Sequence, residues 1–93
     1  MQESNEVIVT VVGKNRPGVL AEVTTAIADA HGNVMDINQK MLEEYFNLIM
    51  IVDLAGADVA FEDFQKQLEA MGADKGYRIH VQHEKVFRYM HRI

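Results

Sequence analysis

The stretch from Gly13 to Leu20 is the part of the sequence whose residue types and spacing point most clearly to chemistry. The patterns on either side predict that it joins a strand to a helix, so that free backbone N–H groups at the start of the helix face the loop. These donors and the positive end of the helix dipole suit a carboxylate or a phosphate. Gly18 also suits a tight, closely packed turn, so a structural role and an anion site both stay open here.

The glycine spacing of this loop resembles a nucleotide-binding P-loop. Gly13 and Gly18 are separated as in Gly-x-x-x-x-Gly, but that motif continues with Lys and then Ser or Thr, which bind phosphate and magnesium. Val19 and Leu20 stand at those positions, which argues against a nucleotide phosphate site. Arg16 can hold a carboxylate through two parallel hydrogen bonds, or it can be a solvated charge on an exposed loop.

Histidines near the end of the sequence form the one pattern that could bind a metal. His80 and His83 are the weak candidates, with His91 further along, because imidazole is a good ligand for divalent transition metals. Histidines on the polar face of a strand are typically solvated, so we predict no metal and no other cofactor. The sequence contains no Cys, and no grouping of Ser, His and Asp is suggested, so we predict no enzyme.

The hydrophobic pattern indicates which elements position the loop. Residues 7–12 are β-branched and apolar except at Thr10, which is typical of a strand covered on both faces. From Pro17, expected in the first helical turn, apolar residues recur at helical spacing. We expect Gly32 to end this helix in the left-handed conformation. The apolar positions of the helix are Val19, Leu20, Val23, Ile27 and Ala30.

Two strands joined by a turn at Glu43 and Glu44 follow the first helix. Residues 33–41 alternate, with Met35, Ile37 and Met41 predicted on one apolar face. Residues 45–54 are mostly apolar on both faces. The methionines of these strands are interpreted as adaptable core residues.

A second helix and a fourth strand complete the pattern. Asp58 is expected to cap the helix by accepting a hydrogen bond from a free N–H group. Apolar residues then recur at helical spacing over residues 61–71, and Gly72 and Gly76 are expected to close the helix. Residues 77–82 alternate apolar and polar side chains, which predicts a strand with one solvated face.

The order of elements predicts the fold class. Residues 7–42 and 45–83 are two strand–helix–strand halves, which together give a ferredoxin-like βαββαβ fold with a four-stranded antiparallel sheet and both helices on one face. The domain is expected to span residues 5–83. Two helices cover one face of the sheet, while the first and third strands are apolar on both. A second copy of the chain is the expected cover, so we predict a homodimer.

Residues 84–93 differ from the rest of the sequence in their hydrophobic pattern and in their charge. Val86, Phe87, Met90 and Ile93 lie at helical spacing, and three basic side chains outnumber the single acid, Glu84. This pattern predicts a short amphipathic helix that closes the open sheet face or contacts the partner subunit. A membrane-surface helix is the weaker alternative, because it is short and carries few charges.

Composition limits the classes of partner. The chain of 93 residues has a net charge of −5, and an acidic protein lacks the positive field that drives nucleic-acid binding. Its longest apolar run is far shorter than the ~20 residues that span a bilayer, and its N-terminus is polar and acidic rather than signal-like. We therefore predict a cytoplasmic protein without a nucleic-acid or membrane partner.

Two segments carry a resemblance to a known family: Lys14-Asn15-Arg16-Pro17-Gly18-Val19-Leu20-Ala21-Glu22-Val23 and His31-Gly32-Asn33-Val34-Met35-Asp36-Ile37. They resemble the signature of ACT domains, small regulatory modules that bind amino acids or related metabolites. The resemblance covers about residues 5–83. It implies a ligand at a subunit interface, with its carboxylate on the loop backbone and its polar groups near the start of the second strand. The implied contacts are Asn15, Gly18, Val19, Leu20 and Asn33.

ACT modules usually regulate an attached catalytic or DNA-binding domain, and we expect this chain to depart from that pattern by acting without one. It is similar in layout to single-ACT bacterial proteins and, more distantly, to half of the tandem-ACT regulators of glycine cleavage. We therefore expect a homodimeric amino-acid sensor that acts on a separate, unknown partner protein. The alternative is a dimeric protein–protein interaction module that needs no ligand. In that case Asn33 is a turn residue that tolerates a left-handed backbone after Gly32.

Overall fold

The computed structural model of the chain describes residues 5–57 and 60–83. The predicted ferredoxin-like βαββαβ fold is confirmed, and all neighbouring strands are antiparallel in the order β2-β3-β1-β4. The predicted cap Asp58 and the predicted helix at 84–93 lie outside the described residues. The elements are β1 (Glu6–Lys14), α1 (Val19–Asp29), β2 (Asn33–Leu42), β3 (Tyr45–Asp53), α2 (Phe61–Lys75) and β4 (Arg78–His83).

The core lies between one face of the sheet and the two helices. We call this the helix face; in β1 it presents Val7, Val9 and Val11, all of them fully buried. The other side is the open face, on which β1 presents Ile8, Thr10 and Val12. Burying a large apolar side chain contributes about 1.5–3 kcal/mol, so the helix-face cluster supplies most of the stability. The buried helix residues of this cluster are Val19, Val23, Ile27, Phe64 and Leu68.

Both ends of helix α1 differ from the predicted positions. Its N-cap is Gly18, so Pro17 precedes the helix instead of occupying its first turn. At the other end the left-handed residue is His31, at φ 62°, and not Gly32. His31 N–H donates to Ala28 O and Gly32 N–H to Ile27 O, both at 2.9 Å, which is a Schellman ending.

Gly32 has a packing role in place of the predicted conformational one. A Cβ atom there would lie 3.0 Å from Ile27 Cγ2 and 3.1 Å from Val52 Cγ1. Both distances are tighter than ordinary van der Waals contact, so a side chain would push α1 away from β3. The residue is glycine because the helix end approaches the sheet closely.

A β-bulge in β2 changes the predicted alternation. The register shifts between Val34 and Asp36, so Val34, not Met35, shares the helix face with Ile37 and Met41. Met35 and Met41 are 54% and 50% exposed in the single chain, so the prediction that they are core residues is wrong. A bulge is difficult to predict here because Met35, Asp36 and Ile37 alternate apolar, polar and apolar as in a regular strand.

Helix α2 runs through one of the glycines that were expected to end it. It continues to Lys75, and the left-handed C-cap is Gly76, at φ 89°. Gly72 lies inside the helix and is buried against β4. The N-cap is Ala60, which has no side-chain acceptor for the first N–H groups.

The two edges of the sheet differ in how they are protected. At β4, Gln65 Nε2 donates to Val81 O at 2.8 Å, and Val81 N–H donates to Glu69 Oε2 at 3.4 Å. These α2 side chains occupy backbone groups that an added strand would need. At the other edge, every residue of β2 except Val34 is exposed. The β2 edge is therefore the one available for pairing.

Candidate ligand-binding site

A cavity of about 250 Å³ opens between the start of α1 and the helix face of β2 and β3. Ligand sites for drug-sized molecules measure roughly 300–1,000 Å³, so this volume suits a small metabolite. Four of the five predicted contact residues line it. The lining residues are Asn15, Arg16, Gly18, Val19, Leu20, Gln39, Phe46 and Leu48.

Gly18 brings backbone groups to the mouth of this cavity. Its left-handed conformation, at φ 87°, turns the chain from the loop into α1, and no atom lies within 4 Å of the position where a Cβ would be. Asn15 N–H donates to Glu44 O at 2.8 Å, which fixes the loop to the β2–β3 turn. The first N–H groups of α1 have no partner within the helix and concentrate positive potential at its start. The geometry suits an anionic group.

Three lining residues come from the sheet and were missed by sequence reasoning. Phe46 and Leu48 are core residues that form an apolar floor. Gln39 pairs with Leu48 in the register and lies between Ile37 and Met41 on the helix face of β2. A polar residue at the middle of an otherwise apolar face was the signal that could have identified Gln39.

Asn33 does not line this cavity within the single chain. It is the first residue of β2, where it pairs with Asp53, and its amide Nδ2 donates to Met35 Sδ at 3.4 Å. Gln39 lies six positions further along the strand, a distance of roughly 20 Å. One chain therefore brings together the loop contacts but not the strand contact.

Arg16 at the rim of the cavity is held by an ion pair and not simply solvated. Its Nη2 lies 3.0 Å from Glu22 Oε1, and its guanidinium is 5.5 Å from the centre of the Tyr77 ring. Tyr77 O–H donates to the same Glu22 oxygen at 3.2 Å, and Lys75 Nζ lies 3.9 Å from Glu22 Oε2. The ring of Tyr77 also meets Phe46 edge to face, with centroids 6.3 Å apart. The cluster joins the rim and floor of the cavity to the α2–β4 junction.

This arrangement shifts two pKa values. The hydrogen bond from Arg16 holds the pKa of Glu22 below its ordinary value, since it favours the carboxylate. Burial raises the pKa of Tyr77, and the hydrogen bond to Glu22 raises it further. Glu22 is thus an anion and Tyr77 a neutral donor at neutral pH.

An ACT domain family model matches residues 5–82, which is most of the chain. The chain belongs to the ACT domain family. Proteins of this family are commonly regulatory modules that bind small molecules. The ACT match covers both the loop at Gly18 and the start of β2, and so includes the two segments on which the resemblance rested.

Small relatives of this ACT domain cover nearly the same length. A UPF0237 protein of Methanococcus maripaludis is 44% identical over 94% of this chain and 97% of its own. A UPF0237 protein of Bifidobacterium longum is 45% identical over 96% of this chain and 99% of its own length. The relatives are largely archaeal, so the expected restriction to bacterial proteins is not confirmed.

Solved structures show the same ACT fold. An ACT domain protein from Streptococcus pneumoniae superimposes with a TM-score of 0.79 at 32% identity, over 91% of this chain and 96% of that one. A chain assigned as a glycine cleavage system transcriptional repressor gives 0.75 at 22% identity, over 87% of this chain and 46% of that one. The regulatory subunit of aspartate kinase from Thermus thermophilus gives a TM-score of 0.65 at 19% identity, over 86% of this chain and 52% of that one.

We predict a pH signature for the Glu22 cluster of this ACT domain. A lowered carboxyl pKa stabilises the fold above the ordinary value of 4.5 and loses that contribution as pH falls through the folded value. Glu22→Gln is therefore expected to be less stable than the parent at pH 7, with the difference shrinking in acid. Urea unfolding from pH 7 to pH 3 measures it. Glu44→Gln, on an exposed turn, is the control. If that variant loses as much stability at pH 7 as Glu22→Gln does, the pH-dependent stability does not come from Glu22.

The histidine pair does not form a chelate through its side chains. His80 pairs with Thr10 and His83 with Val7 in the register, so the two imidazoles leave the sheet on opposite faces. The His83 ring instead stacks on Phe61, with centroids 3.8 Å apart. Among residues 5–57 and 60–83, no three His, Cys, Asp or Glu side chains come together as a metal site. His91 lies outside the described residues.

A larger depression of about 650 Å³ lies at the C-terminal end of α2, where Gly72, Gly76 and Tyr77 meet β1. It borders the end of a helix whose dipole is negative, which disfavours a carboxylate ligand. The smaller cavity at Gly18 is therefore the better candidate.

In the described parts of the chain, no helix is long and apolar enough to cross a membrane.

Proposed function

We propose that this ACT domain is a homodimeric sensor of an amino acid or related metabolite and that it acts on a separate partner protein. One observation carries the proposal: the cavity at the start of α1 opens beside an unprotected edge strand. A ligand bound there would contact both the loop of one subunit and the strand edge at which a second subunit adds.

The β2 edge supports pairing with a second copy. Ile37 and Met41, which flank Gln39 on the helix face of β2, are 45% and 50% exposed in the single chain, and Leu20, which lines the cavity with Gln39, is 39% exposed. Two β2 strands related by a two-fold axis would pair antiparallel and cover these side chains. Antiparallel pairing also places the start of one strand beside the end of the other. It would bring Asn33 of the partner subunit toward the cavity that Gln39 lines.

The donor set suits a zwitterion. The N–H groups at the start of α1 would bind its carboxylate, and the amide oxygens of Asn15 and Gln39 would accept hydrogen bonds from its ammonium group. Phe46 and Leu48 form an apolar floor for a short side chain. Regulation follows if the ligand favours one dimer geometry, since allosteric coupling is typically about 1–3 kcal/mol.

A thermal-shift screen of the twenty amino acids and common metabolites at millimolar concentration tests the proposal. A ligand at 100 times its Kd stabilises the folded state by roughly 2.7 kcal/mol, a shift of several degrees for a domain of this size. We expect at least one compound to raise Tm. If none does, the ligand-independent interaction module is favoured.

A matched pair of glycine variants locates the response. Gly18 and Gly76 both have left-handed backbones with open space around the missing Cβ, so alanine at either position costs a similar amount, about 1–2 kcal/mol. Gly18→Ala adds its methyl group at the cavity mouth and is expected to abolish the shift. Gly76→Ala should retain it. Equal ligand shifts in the two variants would contradict binding at this cavity.

A further inference from the structure

We propose that Met35 and Met41 form a reversible oxidation site on β2 and that their conversion to methionine sulfoxide by a peroxide blocks pairing at this edge. The oxidation site follows from the exposure and chemistry of the two thioethers. Its effect on pairing rests on the edge-paired dimer of the proposed function. Oxidation then weakens the dimer and, with it, the ligand site that the two subunits share.

The composition makes methionine the residue type through which a peroxide acts on this chain. The sequence has no Cys and no Trp but six Met. Thioether sulfur is oxidised to the sulfoxide, and methionine sulfoxide reductases return the product to the thioether. Oxidation of this chain therefore begins at the methionines that solvent reaches.

Solvent reaches the methionines of the described residues unequally. Met35 and Met41 are 54% and 50% exposed, whereas Met50 is 0% exposed. Met71 is partly buried against the core. Both exposed side chains lie on β2, the strand at the unprotected edge of the sheet. A peroxide in solution is therefore directed to the edge strand and away from the core.

The two methionines lie toward opposite ends of this edge. Met35 is at the bulge near the start of β2, and Met41 pairs with Phe46 near its end. Antiparallel pairing of two β2 strands sets the start of one strand beside the end of the other. Met35 would then approach Met41 of the partner subunit, so both oxidation sites lie at the proposed junction.

The oxidation step transfers one oxygen atom from hydrogen peroxide to sulfur. A lone pair on the sulfur attacks one peroxide oxygen, and the S–O bond forms as the O–O bond breaks. The proton of the transferred hydroxyl group passes to the departing hydroxide, which leaves as water. The sulfur is oxidised by two electrons and the peroxide is reduced by two. In the reverse step, two thiols remove the oxygen as water and become a disulfide.

The sulfoxide changes the edge because its oxygen is a strong hydrogen-bond acceptor, whereas a thioether is a weak one. At Met41, pairing of two β2 strands would bury this oxygen among apolar side chains, which opposes association. At Met35, the amide Nδ2 of Asn33 already donates to the sulfur at 3.4 Å. A sulfoxide oxygen there would hold the Asn33 amide more tightly and keep it from a ligand.

Peptide mapping by mass spectrometry tests the oxidation site in the full chain. In dilute protein treated with hydrogen peroxide, we expect Met35 and Met41 to be oxidised faster than Met50 by a factor on the order of ten or more. At concentrations where the chain self-associates, oxidation of Met41 should slow while that of Met50 stays the same. Equal rates for Met41 and Met50 in folded protein would overturn the proposal.

Sedimentation velocity of the oxidised protein tests the effect on pairing. The Kd for self-association is expected to rise roughly tenfold or more, and a methionine sulfoxide reductase with dithiothreitol should restore it. Met41→Gln, whose amide resembles the sulfoxide in polarity, should weaken pairing without peroxide. With leucine at both Met35 and Met41, which preserves apolar volume, the Kd should no longer respond to peroxide. The control Met50→Leu should respond as the parent does.

The outcomes separate this inference from the proposed function. A parent that is monomeric before oxidation contradicts the edge-paired dimer and its redox control together. A dimer whose Kd is unchanged after full oxidation of Met35 and Met41 overturns the redox control alone, as does a double leucine variant that still dissociates in peroxide. Far-UV circular dichroism verifies folding; if Met41→Gln does not fold, Met35→Gln replaces it.

Discussion

Replacement of Ile37 by aspartate is expected to weaken self-association of the chain by roughly 30-fold or more. In the proposed dimer, Ile37 becomes buried where two β2 strands meet, and the two-fold axis brings two copies of the new charge together. Burying one unpaired polar group costs about 2 kcal/mol or more, and each 1.4 kcal/mol is a factor of about ten in Kd. Sedimentation velocity over a range of concentrations measures the change.

The control for this variant is Val12→Asp. Val12 is 41% exposed and Ile37 45%, so the two substitutions have similar effects on the single chain. Val12 lies on the open face of β1, and its cross-strand neighbour is Arg78, which tolerates an acid. If Val12→Asp dissociates the dimer and Ile37→Asp does not, the subunits meet through the open face and the edge-paired dimer is wrong. If the parent protein sediments as a monomer at micromolar concentration, the proposal of a dimer is wrong.

Gly72→Ala is expected to lower the free energy of unfolding by about 2 kcal/mol. An added Cβ would lie 2.7 Å from Tyr77 O and 2.8 Å from Ile79 Cγ1, and the first of these atoms belongs to the backbone. The helix would have to move away from β4. The gain in helix propensity from Gly to Ala, up to about 1 kcal/mol, offsets only part of the strain. Denaturant unfolding at neutral pH measures the difference.

Gly56→Ala is the matched control for Gly72→Ala. Nothing lies within 4 Å of the Cβ position at Gly56, and its φ is not in the left-handed range. The free energy of unfolding of the Gly56→Ala variant should therefore stay within about 0.5 kcal/mol of that of the parent. A Gly72→Ala protein as stable as the Gly56→Ala control would mean that α2 does not pack on β4 as closely as described.

The element order and fold followed from local patterns in the sequence. The β-branched run at residues 7–12 and the helical spacing after Pro17 need no distant partner to be recognised, because each is repeated within a few residues. Four of the predicted contact residues, Asn15, Gly18, Val19 and Leu20, line one cavity for the same reason. They are neighbours in the sequence, so a strand-to-helix connection places them together in any such fold.

The predictions that failed concern features that depend on contacts between distant parts of the chain. Gly32 and Gly72 look like helix ends in the sequence, but each is glycine because another element approaches it closely, Val52 in one case and Ile79 in the other. Met35 was misplaced because a bulge in β2 depends on its pairing with β3. Distances between elements far apart in the chain are set by packing, and sequence periodicity carries no record of them.

By itself, therefore, the sequence determined the strands and helices, their order, the family signature and the anion-attracting start of α1, since all of these depend on residues close together in the chain. The tertiary structure alone decided that Gln39, Phe46 and Leu48 complete the cavity, that Arg16 is held by Glu22, and that β4 is protected while β2 is open. These features arise where separate elements meet, and the meeting is fixed by the close packing of the whole core.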